Sequence, residues 1–359
     1  MRVLFFTDGP LSPGSRFRCL QFFPWFERHG ISCSVQYAYD ERYNDVHEKP
    51  WAPLYKAKGR LLRAGRLLIE RGHDLLFLHK TTMAVTGLPE LLRSLRHTPT
   101  VFDFDDAIHL GPHGTPSPSR ERTFRQAVDS ASHVIAGNGF LADAAQAPWK
   151  TSVIPTVVDT TRYEPAPTRD GRELVIGWMG TASNFPYLRE VIPSVLRAID
   201  LLPRARLRIV SNGVLPEYLG DSRVEQWRWR EDQELMALQS FDVGLMPLPD
   251  TDQTRGKCGF KMLQYMSVGV PILASAVGAN VPLFEGSGAG QLVAPGGDWT
   301  QPLLDLAALS PSARADVGRS GRAHVEAKYS VAAVVDRYVE IFRRTARQTA
   351  PHLAAPVSL

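Results

Sequence analysis

The chain has only three cysteines in 359 residues, Cys19, Cys33 and Cys258. They are too few and too widely spaced for a disulfide framework or a zinc site, and they read as small packing residues. No apolar run approaches the ~18 residues of a membrane span. The opening MRVLFFTDGP has a single Arg and too short an apolar stretch for a secretory leader. It reads as a strand entering a turn, which places the protein in the cytoplasm. There is no internal repeat of about 20–50 residues and no low-complexity block. An excess of one charge is also missing: 41 Lys plus Arg face 37 Asp plus Glu, a net charge of +4. With the basic residues dispersed, nucleic acid is not an expected partner. Apolar residues at 44%, aromatic residues at 9% and charged residues at 22% exclude disordered and collagen-like classes.

What is present is alternation. Short apolar runs at 2–7, 32–37, 75–80, 100–105 and 133–138 read as strands, with amphipathic segments near 16–29, 55–71, 86–96, 118–130 and 139–147 between them. Pro155, Pro165, Pro167 and Gly171 then give the stretch from 155 to 172 a linker composition. The pattern restarts with strands at 173–178, 206–211, 224–229, 243–248, 271–276 and 290–294. Helices are expected near 186–202, 232–241, 260–268, 299–309, 311–328 and 331–347. Apolar strands separated by helices imply parallel sheets covered on both faces. The expected fold is α/β: two doubly wound, Rossmann-like domains facing across a cleft. The divisions are an N-terminal domain 1–164, a linker 165–172, a C-terminal domain 173–329, a final helix 330–347 and a mobile tail 348–359.

Three loops suit an anion, because helix N-termini present free N–H groups and a positive dipole end. The first runs from Asp8 to Arg16 after the first strand; Gly14 permits close backbone approach, Ser15 adds a hydroxyl and Arg16 a bidentate donor. It is not a G-x-G-x-x-G fingerprint, and an ordinary turn with a surface Arg explains it equally well. The second is Gly180-Thr181-Ala182-Ser183-Asn184, where Gly180 and Thr181 could meet phosphate and Ser183 or Asn184 could cap the helix that Pro186 begins. The third is the most specific. In GKCGFKMLQYMSVGVPILAS, residues 256–275, a glycine-containing loop with Lys257 and Lys261 enters a helix, a cation site suited to a diphosphate.

Two further features stand out. Asp103-Phe104-Asp105-Asp106 ends the fourth strand. It suits a helix cap, a divalent metal, or contact of Asp105 or Asp106 with an acceptor or donor hydroxyl, the reading preferred here. His109 and His113 follow, as surface residues or on the acceptor side. Residues 56–71 carry Lys56, Lys58, Arg60, Arg63, Arg66 and Arg71 against one acid, Glu70, with Leu61, Leu62, Leu68 and Ile69 roughly on one helical face. Such a segment is either a solvated helix on its own domain or a peripheral contact with the inner face of the membrane.

The 256–275 segment with the following SAVGANV resembles a bacterial family 4 retaining glycosyltransferase of the glycosyltransferase-B fold. Supporting matches, in the family's order, are GSRFRCLQFFPWFERHGI, VFDFDDAIHL, HVIAGNGFLADAA, VIPTVVDTTRYEP, LVIGWMGTASNFPYL and FDVGLMPLPD, which together cover about residues 2 to 345. The resemblance implies a nucleoside-diphosphate sugar, UDP- or GDP-linked, bound mainly by the second domain, and no metal or other cofactor. By the family pattern Gly259 and Phe260 face the donor sugar and Lys261 neutralises the diphosphate. Gln264 faces the ribose, and the Trp227–Arg230 loop, with Trp229 and Arg230, holds the base. The final helix braces the first domain. Two departures are visible. The family's paired glutamates are Gly256 and Gln264 here, and the Gly180–Asn184 loop lacks the Arg and Lys common in relatives. Neutralisation then rests on Lys257, Lys261 and Arg16.

The implied reaction is transfer of a sugar to a hydroxyl of a sugar, lipid-linked or small-molecule acceptor with retention, in surface polysaccharide, glycolipid or secondary-metabolite assembly. A nucleotide-sugar epimerase or hydrolase of the same architecture, or a non-catalytic nucleotide-sugar-binding protein, is the alternative.

Overall fold

The computed structural model describes residues 1–41, 46, 49–81, 83, 86–94, 98–166 and 173–348. The expected tail beyond residue 348 and most of the expected linker, 167–172, lie outside the described residues. The chain divides into two compact units. Unit 1 comprises Met1–Ile154 together with the chain from Val334, and unit 2 is Pro155–Ala333.

Unit 1 holds a six-stranded sheet with the order β2-β1-β3-β4-β5-β6, every pair parallel. The strands are β1 Arg2–Thr7, β2 Ser32–Tyr37, β3 Leu75–His79, β4 Thr100–Phe104, β5 His133–Ala136 and β6 Thr151–Val153. β3, β4 and β5 are buried along their whole length, whereas the edge strand β2 is half-exposed, as sheet position requires. Helices α1 Phe23–Arg28, α2 Ala52–Ile69, α3 Leu88–Ser94, α4 Pro118–Ser130 and α5 Gly139–Ala145 lie between the strands.

The expected single helix over 16–29 is instead three pieces: a π turn Ser15–Cys19, a 3-10 turn Leu20–Phe22 and then α1. Pro24 explains the restart, since it lacks an N–H and suits only a first helical turn.

Unit 2 holds a second parallel sheet, order β12-β11-β10-β7-β8-β9. Its strands are β7 Leu174–Met179, β8 Ala205–Ser211, β9 Val224–Arg228, β10 Val243–Met246, β11 Ile272–Ser275 and β12 Gly290–Val293. Its helices are α6 Phe185–Asp200, α7 Glu234–Gln239, α8 Asp252–Arg255, α9 Phe260–Ser267, α10 Asn280–Phe284, α11 Thr300–Ala308 and α12 Pro311–Lys328. The short elements β6, α8 and α10 carry no periodic signal and were not expected. Ile176, Trp178, Leu188, Ile192, Leu207, Leu245, Trp299 and Leu303 form the centre of the unit 2 core.

The expected boundary at residue 164 moves to Ile154/Pro155. The reason is hydrogen bonding. Val158 bridges Ser330, Arg322 donates to Thr160 O (3.1 Å) and Tyr163 O (2.6 Å), and the Tyr163 hydroxyl donates to Glu234. The last helix, α13 Val331–Gln348, groups with unit 1 from Val334. Tyr338 packs on Phe22 at 4.8 Å between centroids, and Phe342 packs on Phe26 (5.3 Å) and Phe77 (5.8 Å).

His133 in β5 shares a 3.0 Å hydrogen bond with Ser152, and burial, reinforced by the charges of Arg344 and Lys150, lowers its pKa from 6.5 to about 4. The unfolded chain therefore takes up a proton that the folded chain refuses. Stability from this group is complete above pH 6.5 and falls away toward pH 4. Denaturant unfolding at several pH values should show His133→Gln losing less stability on acidification than the native chain, by at most about 3 kcal/mol. Parallel acid loss in both proteins would refute the assignment.

Candidate active site

Doubly wound sheets bind ligands beyond the carboxyl ends of their strands, where the strand order reverses. In unit 1 that point lies between β1 and β3, and in unit 2 between β7 and β10. Both points gather charged and small residues.

In unit 1 the buried guanidinium of Arg63, from the inner face of α2, ties the strand ends together. It donates to Phe6 O (3.3 Å), His79 O (2.9 Å) and Lys80 O (3.4 Å) and lies 3.5 Å from Asp8. Asp103, at full burial, accepts from Arg18 Nε (3.1 Å) and from a second Arg18 nitrogen, and His79 Nδ1 donates to it at 2.9 Å. Burial pushes the Asp103 carboxyl up, but the Arg18 charge and these hydrogen bonds outweigh it and hold the group below the usual range. His79 Nε2 lies 3.8 Å from Asp105 and faces Gly14, where an added Cβ would stand 2.3 Å away. Gly14 is therefore required by this close approach.

Lys80, in the left-handed region at φ 62°, places its ammonium 3.2 Å from Asp105 and 3.1 Å from Asp106. Burial lowers the Lys80 pKa, and the carboxylates of Asp105, Asp106 and Asp8 more than reverse it. Asp105 is held below the usual carboxylate range: burial raises it, and Lys80, His79 and Arg18 together overcome that.

Asp103 is thus a core ion-pair partner, and Asp105 and Asp106 bracket one lysine. Ser15 turns inward, with its hydroxyl 2.7 Å from both Thr7 and Ser12. Arg16 is buried in the π turn, with its guanidinium 4.8 Å from the Phe17 ring centre. His109 packs its ring on Phe124, and the side chain of His113 lies outside the described residues.

In unit 2 the Thr251 and Thr254 side chains form a reciprocal cap on α8, which orders the loop leading to α9. Gly259 precedes α9 at φ 60°, a conformation that favours glycine, and an added Cβ there would stand 2.2 Å from Leu283. From the first turn of α9, Lys261 lies over the carboxyl end of β7. Its Nζ is 5.7 Å from the Trp178 ring centre, and its Cε would stand 2.7 Å from a Cβ at Gly180. The buried Tyr265 hydroxyl accepts from Met179 N at 2.9 Å and fixes α9 to that strand end. Lys257 and Phe260 are half-buried beside it, and Cys258 is buried.

The Thr181 and Ser183 hydroxyls are 2.8 Å apart, and Asn184 donates to Thr181 at 2.9 Å. The expected side-chain cap of α6 by Ser183 or Asn184 does not form, because these groups bond to one another.

Gln264 is buried and donates to Glu234 Oε1 at 3.4 Å. Glu234 is itself buried and accepts from Trp229 Nε1 (2.9 Å) and from Tyr163. A carboxylate therefore stands beside the amide at 264, although position 264 lacks one. Trp227 stacks under Arg208, 3.9 Å from guanidinium carbon to ring centre, and Arg230 pairs with Asp232 on the surface. Of the expected donor residues, unit 2 brings Gly180, Gly259 and Lys261 together at the start of α9, with Phe260 next in the chain and Lys257 in the preceding loop. Trp229 and Gln264 join through Glu234.

Sequence reasoning gave no site role to Arg18, His79, Lys80, Tyr163 and Glu234, and read Arg63 as one of the surface cations of 56–71, whereas it is buried against the strand ends. The His-Lys pair closing an otherwise apolar strand was a usable signal for His79 and Lys80. A cavity of about 600 Å³ lined by His29, Asp336, Val339, Glu340, Arg343, Arg344 and Arg347 lies on α13, not at a strand end, and contributes nothing to this site.

Residues 173–308, all in unit 2, match the family model for Glycosyl transferases group 1. No curated protein matches the chain. Similar solved structures include HepE from Anabaena in complex with UDP-glucose, at 18% identity, covering 96% of this chain and 98% of that one, with a TM-score of 0.65. Another is sucrose-phosphate synthase from Thermosynechococcus elongatus, at 14% identity, 97% and 100% coverage and a TM-score of 0.69. A glycosyltransferase from Rickettsia africae shares 11% identity over 96% and 98% of the two chains, with a TM-score of 0.70. The fold is glycosyltransferase-B. Within that fold the two strand-end clusters are the candidate active-site elements, one in each unit.

Removing one member of a buried ion pair leaves the other charged and uncompensated, at about 3–5 kcal/mol. Asp103→Asn should therefore lower unfolding stability by about that amount, and Arg18→Met added to Asp103→Leu should recover most of it. A loss below about 1 kcal/mol in Asp103→Asn would contradict the core role given to this pair.

Proposed function

We propose that the protein is a family 4 glycosyltransferase that moves a sugar from a nucleoside-diphosphate sugar to an acceptor hydroxyl with retention of configuration. The observation that carries this reading is the position of Lys261, on the first turn of α9 and over Gly180 at the carboxyl end of β7. A diphosphate there meets an ammonium, a helix N-terminus and a backbone with no Cβ in the way. The family match over 173–308 supports it, as does the UDP-glucose complex of the HepE neighbour. UDP-sugars are accordingly the first donors to test and GDP-sugars the second.

In this reading unit 2 holds the donor. Lys261 and Lys257 neutralise the diphosphate, with Gly180, Thr181 and the N–H groups at Gly259 and Phe260 completing the cradle. Gln264, held by Glu234, faces the ribose, and Trp229 and Arg230 border the base. Ser183 stays with the Thr181 turn. Unit 1 serves the acceptor: Asp105, kept ionised beside Lys80, and Asp106 accept hydrogen bonds from hydroxyls, and Gly14, Ser15 and Arg16 shape the loop after β1.

As the bond from the anomeric carbon to phosphate oxygen breaks, charge builds on the departing diphosphate, where the lysines stabilise it. The acceptor oxygen bonds to the anomeric carbon from the same face, and its proton passes to the departing phosphate. No metal is needed in this scheme, since the lysines supply the positive charge and the carboxylates of the 103–106 cluster are matched by Arg18, His79 and Lys80. Acceptors are a sugar, a lipid-linked sugar or a small molecule, met in the cytoplasm during polysaccharide, glycolipid or secondary-metabolite assembly.

Lys261→Ala should cut transfer by about 10²–10³-fold, the scale of losing one charge-stabilising donor, with the melting temperature unchanged without ligand. A nucleoside diphosphate at ~100 times its dissociation constant adds about 2.7 kcal/mol to the native chain. That appears as several degrees of melting shift, absent in the variant. Full turnover by Lys261→Ala would refute the site. Product analysis separates the rival readings: an epimerase or hydrolase consumes donor without acceptor, and a binding protein shifts in melting temperature without consuming donor.

A further inference from the structure

The outward face of α2 is apolar and cationic at once. Trp51, Leu54, Leu61, Leu62 and Ile69 are between 51 and 75% exposed. On a helical projection they share one arc with Lys58 and Arg66, both exposed. The opposite face is committed to the unit: Ala52, Gly59, Arg63, Ala64 and Leu67 are buried, and Arg63 ties down the strand ends. Leu88 and Leu92 of α3, which packs against α2, are exposed as well. These seven are half of the fourteen large apolar side chains exposed among the described residues. The helix APLYKAKGRLLRAGRLLI carries five cations and no acid. No helix among the described residues is long and apolar enough to cross a membrane.

We propose that this face of α2, extended by α3, docks unit 1 on the surface of an anionic lipid bilayer. The apolar arc enters the boundary between headgroups and acyl chains, and Lys58 and Arg66 remain among the lipid phosphates. Charge complementarity selects the partner. An apolar face for another copy of this chain gains nothing from Lys58 and Arg66 on a helix without an acid, whereas each of these two cations near an anionic leaflet strengthens partitioning roughly fivefold. The helix is already folded on its unit, so no ordering cost opposes docking.

This inference stands apart from the transferase reading, because vesicle binding is measured without donor or acceptor. The full chain is sedimented with phosphatidylcholine vesicles containing about 30% phosphatidylglycerol, and with phosphatidylcholine alone, at low and high salt. The anionic vesicles should retain the protein, with binding at least about tenfold weaker to neutral vesicles and weakened by salt. Leu61→Gln with Leu62→Gln, and separately Lys58→Glu with Arg66→Glu, should each reduce binding more than about tenfold while the melting temperature holds. Absence of binding to anionic vesicles, equal binding to neutral ones, or native binding by both double variants would overturn the proposal. So would a native dimer that Leu61→Gln with Leu62→Gln dissociates, since a second copy would then cover the face.

Discussion

A parallel sheet sends the carboxyl end of every strand to one edge, and in this protein both sheets are wholly parallel. That edge collects unpaired carbonyls and helix N-termini, and the order of strands decides where the chain parts to leave room there. Unit 1 answers with a buried arginine that gathers the carbonyls of Phe6, His79 and Lys80. Unit 2 answers with a tyrosine hydroxyl that takes the Met179 N–H and pins α9 across the end of β7. The positions of Lys80 and Lys261 both follow from these two anchors.

The same constraint explains the charges. Burying Asp103 is tolerable only because Arg18 and His79 reach it from other segments, and the pair is a requirement of the fold more than a gain in stability. Asp105 and Asp106, just beyond the end of β4, share Lys80 and remain nearer solvent. A single run of acids in the sequence therefore separates into one structural carboxylate and two at the strand edge. In unit 2 the amide of Gln264 is accompanied by Glu234, which reaches it from a different helix.

Much of this was legible in the sequence. Apolar runs such as LLFLH and TVFDF announced central strands, and the start of α9 was visible in GKCGFK because glycine and lysine have distinct steric and electrostatic uses there. What stayed hidden depends on contacts distant in sequence. Arg18 meets Asp103 across 85 positions and Tyr163 meets Glu234 across 71, and neither pair leaves a local pattern. The boundary was misplaced for the same reason, since Thr160 and Tyr163 are held by Arg322 from α12. The break-up of the first helix was partly readable in Pro24, but the π turn from which Arg18 reaches inward to Asp103 left no local signal.

The account rests on α9 as the seat of a diphosphate. The most direct measurement is a crystal structure with UDP bound. The account predicts phosphate oxygens within hydrogen-bonding reach of Lys261 Nζ and of the backbone at Gly259 or Phe260, over Gly180. A nucleotide ordered elsewhere in unit 2, with Lys261 making no contact to phosphate, would contradict it.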